Sequence, residues 1–162
     1  MRVGILTLSD KGFKKEREDK SGKIIQEMME IKGYEVKYYE VLPDEELIIE
    51  QKIKHLCDNK LVDIVLTTGG TGFSQRDVTP EATLKVIEKH VPGFAEAMRL
   101  ESLKITPMAM LSRGVSGIRG QTLIVNLPGS PKAVKECLEV IIPALEHGIE
   151  ILKGKTGECG EG

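Results

Sequence analysis

The sequence predicts an α/β protein: a three-layer α/β/α sandwich around a mostly parallel, mixed central sheet. Three observations lead there. Short aliphatic, β-branched runs recur at residues 3–8, 62–67 and 122–127, and each ends in polar or glycine residues, as buried parallel strands do. Stretches with helical apolar spacing lie between them. Strand and helix therefore alternate, the pattern of right-handed crossover units packed on both faces of a sheet.

In chain order, residues 3–8 (VGILTL) make the first strand. A helix follows over 22–32, with Ile24, Ile25, Met28, Met29 and Ile31 on or near one face and Gly33 as its C-terminal cap. Residues 34–42 make a further strand and 46–57 a helix. The run 62–67 (VDIVLT) is the next strand, and helices are expected over 81–89 and 94–103. Gly114, Gly117 and Gly120 punctuate 108–120, which reads as a mixed segment with a short strand that can form a hairpin into the strand at 122–127. The last helical pattern covers 132–152, and Pro143 is expected to kink or divide it, because proline removes a hydrogen bond and clashes with the preceding turn. Residues 1–153 read as one domain. The glycine-rich segment 154–162 lacks apolar periodicity and is expected to be a flexible tail.

Composition narrows the function classes. The chain of 162 residues carries 23 basic and 25 acidic side chains, mixed along its length, for a net charge of −2. With no basic block to gather phosphates or anionic lipid, nucleic acid is not an expected partner. Cys57, Cys137 and Cys159 are far apart and form no CxxC, so neither a disulfide framework nor a thiolate zinc site is expected, and a cytoplasmic location fits. No export signal or membrane span is read: even 140–152 is interrupted by Pro143, Glu146, His147, Gly148 and Glu150.

In an open parallel sheet, ligands bind beyond the carboxyl ends of the strands. Those ends supply Ser9-Asp10, then Thr68-Gly69-Gly70-Thr71-Gly72, then Asn126-Leu127-Pro128-Gly129-Ser130. Glycines allow close backbone approach and positive φ, which turns successive amides into an anion nest. Thr79 before Pro80 and Ser130 before Pro131 read as hydroxyl caps with proline at the first helical position, so two helix N-termini would add their dipoles to the crevice. A phosphate would suit such a site. Asp77 lies just past the glycine loop, beside Arg76, and Asp44 follows another strand. Carboxylates beside phosphate repel it unless a divalent cation intervenes, and Mg²⁺ is commonly held by one or two carboxylates plus substrate phosphates.

Each feature has a plainer reading. Glycine turns and capped helices occur throughout α/β proteins, Asp44 can be a helix cap and Asp77 a loop cap. Residues 11–20 (KGFKKEREDK) read as a solvated loop placed to fold over the crevice, and Arg113 and Arg119 as surface arginines able to reach a phosphate. The histidines lack metal-ligand spacing. Gly70-Thr71-Gly72 is not a dinucleotide fingerprint, and Gly154-Lys155-Thr156 is not a P-loop, since position 149 is Ile.

LTTGGTGFSQRDVTPEAT (66–83), with ESLKITPMAMLSRGVSGIRGQTLIVNLPGSPKAVKECLE (101–139), closely resembles the MogA/MoaB family of molybdenum-cofactor biosynthesis, which includes a domain of gephyrin. Ser9-Asp10, DKSG at 19–22 and VLPDEE at 41–46 resemble it too, and the likeness runs over about the first 150 residues. It is nearest the MogA-type molybdopterin adenylyltransferases. The resemblance implies an α/β/α homotrimer that transfers AMP from ATP to the terminal phosphate of molybdopterin, with Mg²⁺, and passes the product to a MoeA-type metal insertase. It implies that Asp44 and Asp77 hold Mg²⁺ and serve catalysis. Gly69, Gly70, Thr71 and Gly72, with Ser9, Asp10, Asn126, Pro128, Gly129 and Ser130, would line the nucleotide and pterin-phosphate pocket, and Ser112 and Arg113 the pterin end. Gln75 departs from the family pattern, where proline or arginine often precedes the Arg-Asp pair. Two other readings stay open: a member that binds molybdopterin without transferring AMP, and a nucleotide hydrolase or kinase, against which the missing P-loop lysine weighs.

Overall fold

The computed structural model describes residues 1–155. Among them, six strands form one sheet: Arg2–Leu8 (β1), Glu35–Leu42 (β2), Ile64–Thr68 (β3), Lys89–His90 (β4), Ser116–Arg119 (β5) and Thr122–Leu127 (β6). The helices are Asp10–Phe13 (α1), Lys20–Ile31 (α2), Glu46–Asp58 (α3), Thr79–Val86 (α4), Pro92–Leu103 (α5) and Pro131–Leu152 (α6), with a 3-10 turn at Pro107–Leu111. The sheet order is β2-β1-β3-β6-β5-β4; the first four strands are parallel, and β5 and β4 are added antiparallel. The predicted mixed three-layer sandwich is what forms.

The strands read as continuous apolar runs because both faces are covered. Val3 and Ile5 of β1, Ile64 and Leu66 of β3, and Leu123 and Val125 of β6 face one core with α2, α5 and α6. Leu6, Leu8, Val65 and Ile124 face the other, with α3 and α4. Helices α2 and α4 thus leave β1 and β3 for opposite faces. The crevice between β1 and β3 is the topological switch point, where open α/β sheets bind ligands.

The helix ends follow their local chemistry. Gly33 closes α2 at φ 78°, with its amide bonded to Glu30 and that of Tyr34 to Met29, a Schellman cap as expected. Gly154 does the same for α6, its amide on Ile151 and that of Lys155 on Glu150. The first two residues of the expected flexible tail are therefore a helix cap, and 156–162 lie outside the described residues.

Several expectations are corrected. Helix α6 runs unbroken through Pro143: its buried stripe of Ile141, Ile142, Leu145 and Ile149 outweighs the one hydrogen bond proline removes. The helix expected over 81–89 ends at Val86, where Ile87 turns extended (ψ 146°), and Lys89–His90 pairs with β5 instead. Gly117 of β5 makes this possible, because a Cβ there would meet Ile87 within 3.0 Å. Residues 11–13 of the expected solvated loop are helical. The punctuated segment 108–120 resolves into the 3-10 turn, β5 and a two-residue turn into β6, with Gly120 at φ 56°.

Candidate active site

Three strand ends converge on Gly69. This residue sits at φ 93° directly after β3, and a Cβ on it would fall within 3.0 Å of the Leu8 carbonyl at the end of β1. Gly129, past β6, approaches from the other side, with a Cβ position 3.4 Å from the Gly69 Cα. Only glycine permits the approach of Gly69 to Leu8. Thr68 Oγ1 donates to Pro128 O at 2.6 Å, and Ser21 Oγ of α2 donates to Gly129 O at 2.8 Å, which ties the loops together.

Two adjoining cavities open here. A polar crevice of about 720 Å³ is lined by Ser9, Thr68, Gly69, Gly129 and Ser130, with Arg17 and Lys20 on its outer wall. A narrower, apolar-walled cavity of about 270 Å³ lies behind it, where Ser112, Asn126, Pro128 and Ser130 meet Met98, Ile105 and Met108. Ser130 borders both and caps α6 as expected, accepting from Ala133 N at 3.2 Å.

Thr79 is not a cap. Val78 holds that position on α4, and the Thr79 hydroxyl, fully buried, donates to Gly69 O at 2.9 Å while its amide donates to Gly70 O at 3.1 Å. Burial decides this, since the loop carbonyl is the acceptor within reach. Accordingly α6, with Ser130 and Pro131, brings its first turn to the crevice, and α4 instead pins the loop. Asn126 is also spent on the scaffold: its amide nitrogen donates to Thr67 Oγ1 (3.0 Å) and Thr83 Oγ1 (2.9 Å), and its oxygen accepts from Val115 N (3.2 Å).

Asp44 and Asp77 flank the glycine loop. A Cβ on Gly70 would lie 3.2 Å from Asp44 Oδ1, and one on Gly72 would lie 2.9 Å from Asp77 Oδ2. Asp77 Oδ2 accepts from Ser74 N at 3.0 Å, which leaves Oδ1 for a ligand. Asp44 does not cap α3, a position held by Glu45; its Oδ2 accepts from Asp10 N at 2.9 Å. Burial pushes the Asp44 carboxyl above its ordinary range, opposed by the Asp10 amide and reinforced by the charges of Asp10 and Asp77. This acidic pair beside the glycine loop, offset only in part by Arg76, fits a bound Mg²⁺ that would take its remaining ligands from phosphates and water. Among the described residues no group of three or more His, Cys, Asp or Glu side chains forms a metal cage.

Arg113 turns away from the apolar cavity. Its Nε donates to Gly72 O (2.7 Å), one terminal nitrogen to Asp77 O (2.7 Å), and the other pairs with Glu81. It braces the loop on both sides of Asp77. Arg119 binds Asp58 and Val86 O, away from the crevice. The thiols of Cys57 and Cys137 are unsuited to nucleophilic chemistry, as burial pushes Cys57 up to about 11 and raises Cys137.

Asp19 belongs to the crevice wall although the sequence pattern assigns it no role: it caps α2 through Gly22 N (2.9 Å) and accepts from Thr7 Oγ1 (2.6 Å) and Tyr39 OH (2.5 Å). The visible signal is an aspartate three residues before Gly22 at a helix start.

Fold and site together define a class: a doubly wound α/β/α protein with a glycine loop in the crevice at its switch point and two carboxylates, one from the end of β2 and one from past β3, flanking that loop. Residues 4–147 match the family described as "Probable molybdopterin binding domain", and the chain belongs to that family. It is 45% identical to the molybdopterin adenylyltransferase of Helicobacter pylori (strain 26695), over 99% of this chain and 93% of that protein. With the molybdopterin adenylyltransferase of Escherichia coli K12 it shares 43%, over 92% of this chain and 80% of that one. The crystal structure of the molybdopterin biosynthesis enzyme MoaB from Thermus thermophilus superposes with a TM-score of 0.89 at 50% identity, covering 97% of this chain and 99% of that one.

Proposed function

We propose that this protein is a molybdopterin adenylyltransferase, which joins AMP from ATP to the terminal phosphate of molybdopterin and releases pyrophosphate. The observation that carries the reading is the pair Asp44 and Asp77 set against Gly70 and Gly72 of one amide-lined loop, in a chain aligned almost end to end with proteins of that name. A terminal phosphate oxygen of molybdopterin attacks the α-phosphorus of ATP; that P–O bond forms as the bond to the bridging oxygen breaks, and pyrophosphate leaves with the bond electrons. The nucleophile is already ionised at neutral pH, so no protein base is required. The work of the site is positioning and charge neutralisation.

The loop amides at 69–72 hold phosphate, and Ser9, Gly129 and Ser130 complete the nucleotide crevice. The apolar-walled cavity with Ser112 suits the pterin end. Asp44 and Asp77 would hold Mg²⁺, which when bound screens charge on the transferring phosphate and the leaving group. Residues 1–153 act as one unit in this reading. The reading further carries a homotrimer, supported by the exposed apolar side chains of Leu100, Leu103, Ile105, Met108 and Met110, handover to a MoeA-type metal insertase, and work in a reducing cytoplasm, supported by the free thiols of Cys57 and Cys137.

The test is pyrophosphate release from ATP with Mg²⁺, with and without molybdopterin, for the native protein and the Asp44→Ala and Asp77→Ala variants. Release that needs both the pterin and both aspartates is expected. Pterin binding without release would make the chain a binding protein, and pterin-independent release a nucleotide hydrolase.

A further inference from the structure

Asp10 stands at a strand end among the residues expected to contact nucleotide, yet protein groups occupy its carboxylate. Oδ1 accepts from the Asp44 amide (3.0 Å) and from Arg76 Nη2 (3.0 Å), and Oδ2 accepts from Arg76 Nε (2.9 Å). The Asp10 amide in turn donates to Asp44 Oδ2 at 2.9 Å. This reciprocal exchange fastens the end of β1 to the end of β2 and consumes one Asp44 oxygen. The other, Oδ1, is left beside Gly70. Arg76 enters from the loop after β3, one residue before Asp77, and also binds Glu45 at 2.8 Å, so a single guanidinium joins three strand ends around the acidic pair.

We propose that Arg76 and Asp10 are positioning residues that lock Asp44 with its Oδ1 presented to the metal and phosphates, Asp10 serving as a brace and not as a nucleotide ligand. The proposal rests on the adenylyltransferase reading above. It makes a prediction of unusual sign. On charge alone, a cation next to a metal site weakens metal binding, so removing Arg76 would tighten it. If orientation dominates, removal weakens binding, and loss of such an outer partner typically costs about 10–100-fold in metal affinity or activity. Arg76→Lys separates the two, because lysine keeps the charge but cannot form the bidentate fork.

The experiment titrates Mn²⁺ by electron paramagnetic resonance into the full chain with α,β-methylene-ATP, for the native protein and the Arg76→Ala, Arg76→Lys and Asp44→Ala variants. Molybdopterin-dependent kcat and the KM for ATP are measured alongside. Both Arg76 variants are expected to bind Mn²⁺ about 10-fold or more weakly and to lose kcat with little change in KM, the range set by outer-sphere partners. Arg76→Lys matching the native protein, or Arg76→Ala binding Mn²⁺ more tightly, overturns the proposal while the metal reading of Asp44 stands. Native Mn²⁺ affinity in Asp44→Ala overturns both.

Discussion

Replacing Gly69 by alanine tests the convergence of the three strand ends directly. The residue lies at φ 93°, and its new methyl would fall within 3.0 Å of the Leu8 carbonyl oxygen, a backbone atom of a strand paired on both sides. Strained backbone of this kind costs about 1–3 kcal/mol for a non-glycine residue, and forcing a methylene into a packed site adds about 1–3 kcal/mol. Their midpoints give about 4 kcal/mol, a large share of the roughly 5–15 kcal/mol that holds a domain together. Gly120→Ala is the matched control, since it also has positive φ (56°) but no atom within 4 Å of the added carbon; it should lose only about 1 kcal/mol. Urea unfolding at one fixed protein concentration, with equal m-values, reads both. Should Gly69→Ala fall within about 1 kcal/mol of Gly120→Ala, against the overpacking cost assumed, the close approach to β1 is wrong and the crevice floor with it.

Lys60 ends α3 at φ 53° in the place glycine takes after α2 and α6; Lys60→Gly relieves about 1–2 kcal/mol of left-handed strain against about 0.4–1 kcal/mol of unfolded-chain entropy, and should raise the urea midpoint. Burial alone would raise the Asp63 carboxyl, but bonds from the Arg2 side chain, Lys153 and the Arg2 amide outweigh it and hold the group far below its usual range. Its stabilisation is therefore complete above an unfolded pKa of about 3.9 and is lost as pH falls toward the folded value. Urea midpoints measured at descending acidic pH should drop in the native protein and drop less steeply in Asp63→Asn. Arg113→Met strips donors from the Gly72 and Asp77 carbonyls; stability should fall by about 2–3 kcal/mol, and kcat should fall more than the KM for molybdopterin rises. The reverse pattern would return Arg113 to the pterin.

The sheet was legible because burial on both faces writes uninterrupted apolar runs into β1, β3 and β6, and the glycine loop because a close backbone approach excludes every other residue. Partner choice was not legible. Arg113 is 41 positions from Gly72, and Arg76 is 66 from Asp10, so their guanidinium bonds are consequences of topology that no local pattern encodes. Thr79 shows the same limit at short range: Thr-Pro marks a helix start correctly, yet whether the hydroxyl turns to its own helix or to the Gly69 carbonyl depends on a loop packed against it. Pro143 does not divide α6, and Lys89 pairs with β5 instead of extending α4, for a related reason: the cost of a broken helix and the gain from an added strand are set by the core and by Gly117.

The fate of the two arginines constrains how nucleotide can enter. Arg76 is committed to Asp10 and Glu45, and Arg113 to Glu81 and two carbonyls, so neither brings spare positive charge to a triphosphate beside Asp44 and Asp77. Loop amides accept an anion but do not cancel its repulsion from two carboxylates. Arg17 and Lys20 on the outer wall of the crevice are matched there by Glu18 and Asp19, so that wall adds no net positive charge. In the adenylyltransferase reading, the cancelling charge would arrive with the nucleotide, as its magnesium complex. Calorimetric titration with ATP should give at least about 10-fold weaker binding in excess chelator than with Mg²⁺, the scale on which outer-shell losses alone already act, and Asp44→Ala/Asp77→Ala should erase that difference by strengthening the metal-free binding. Equal affinity with and without Mg²⁺ in the native protein would mean that the backbone nest alone overcomes the acidic pair.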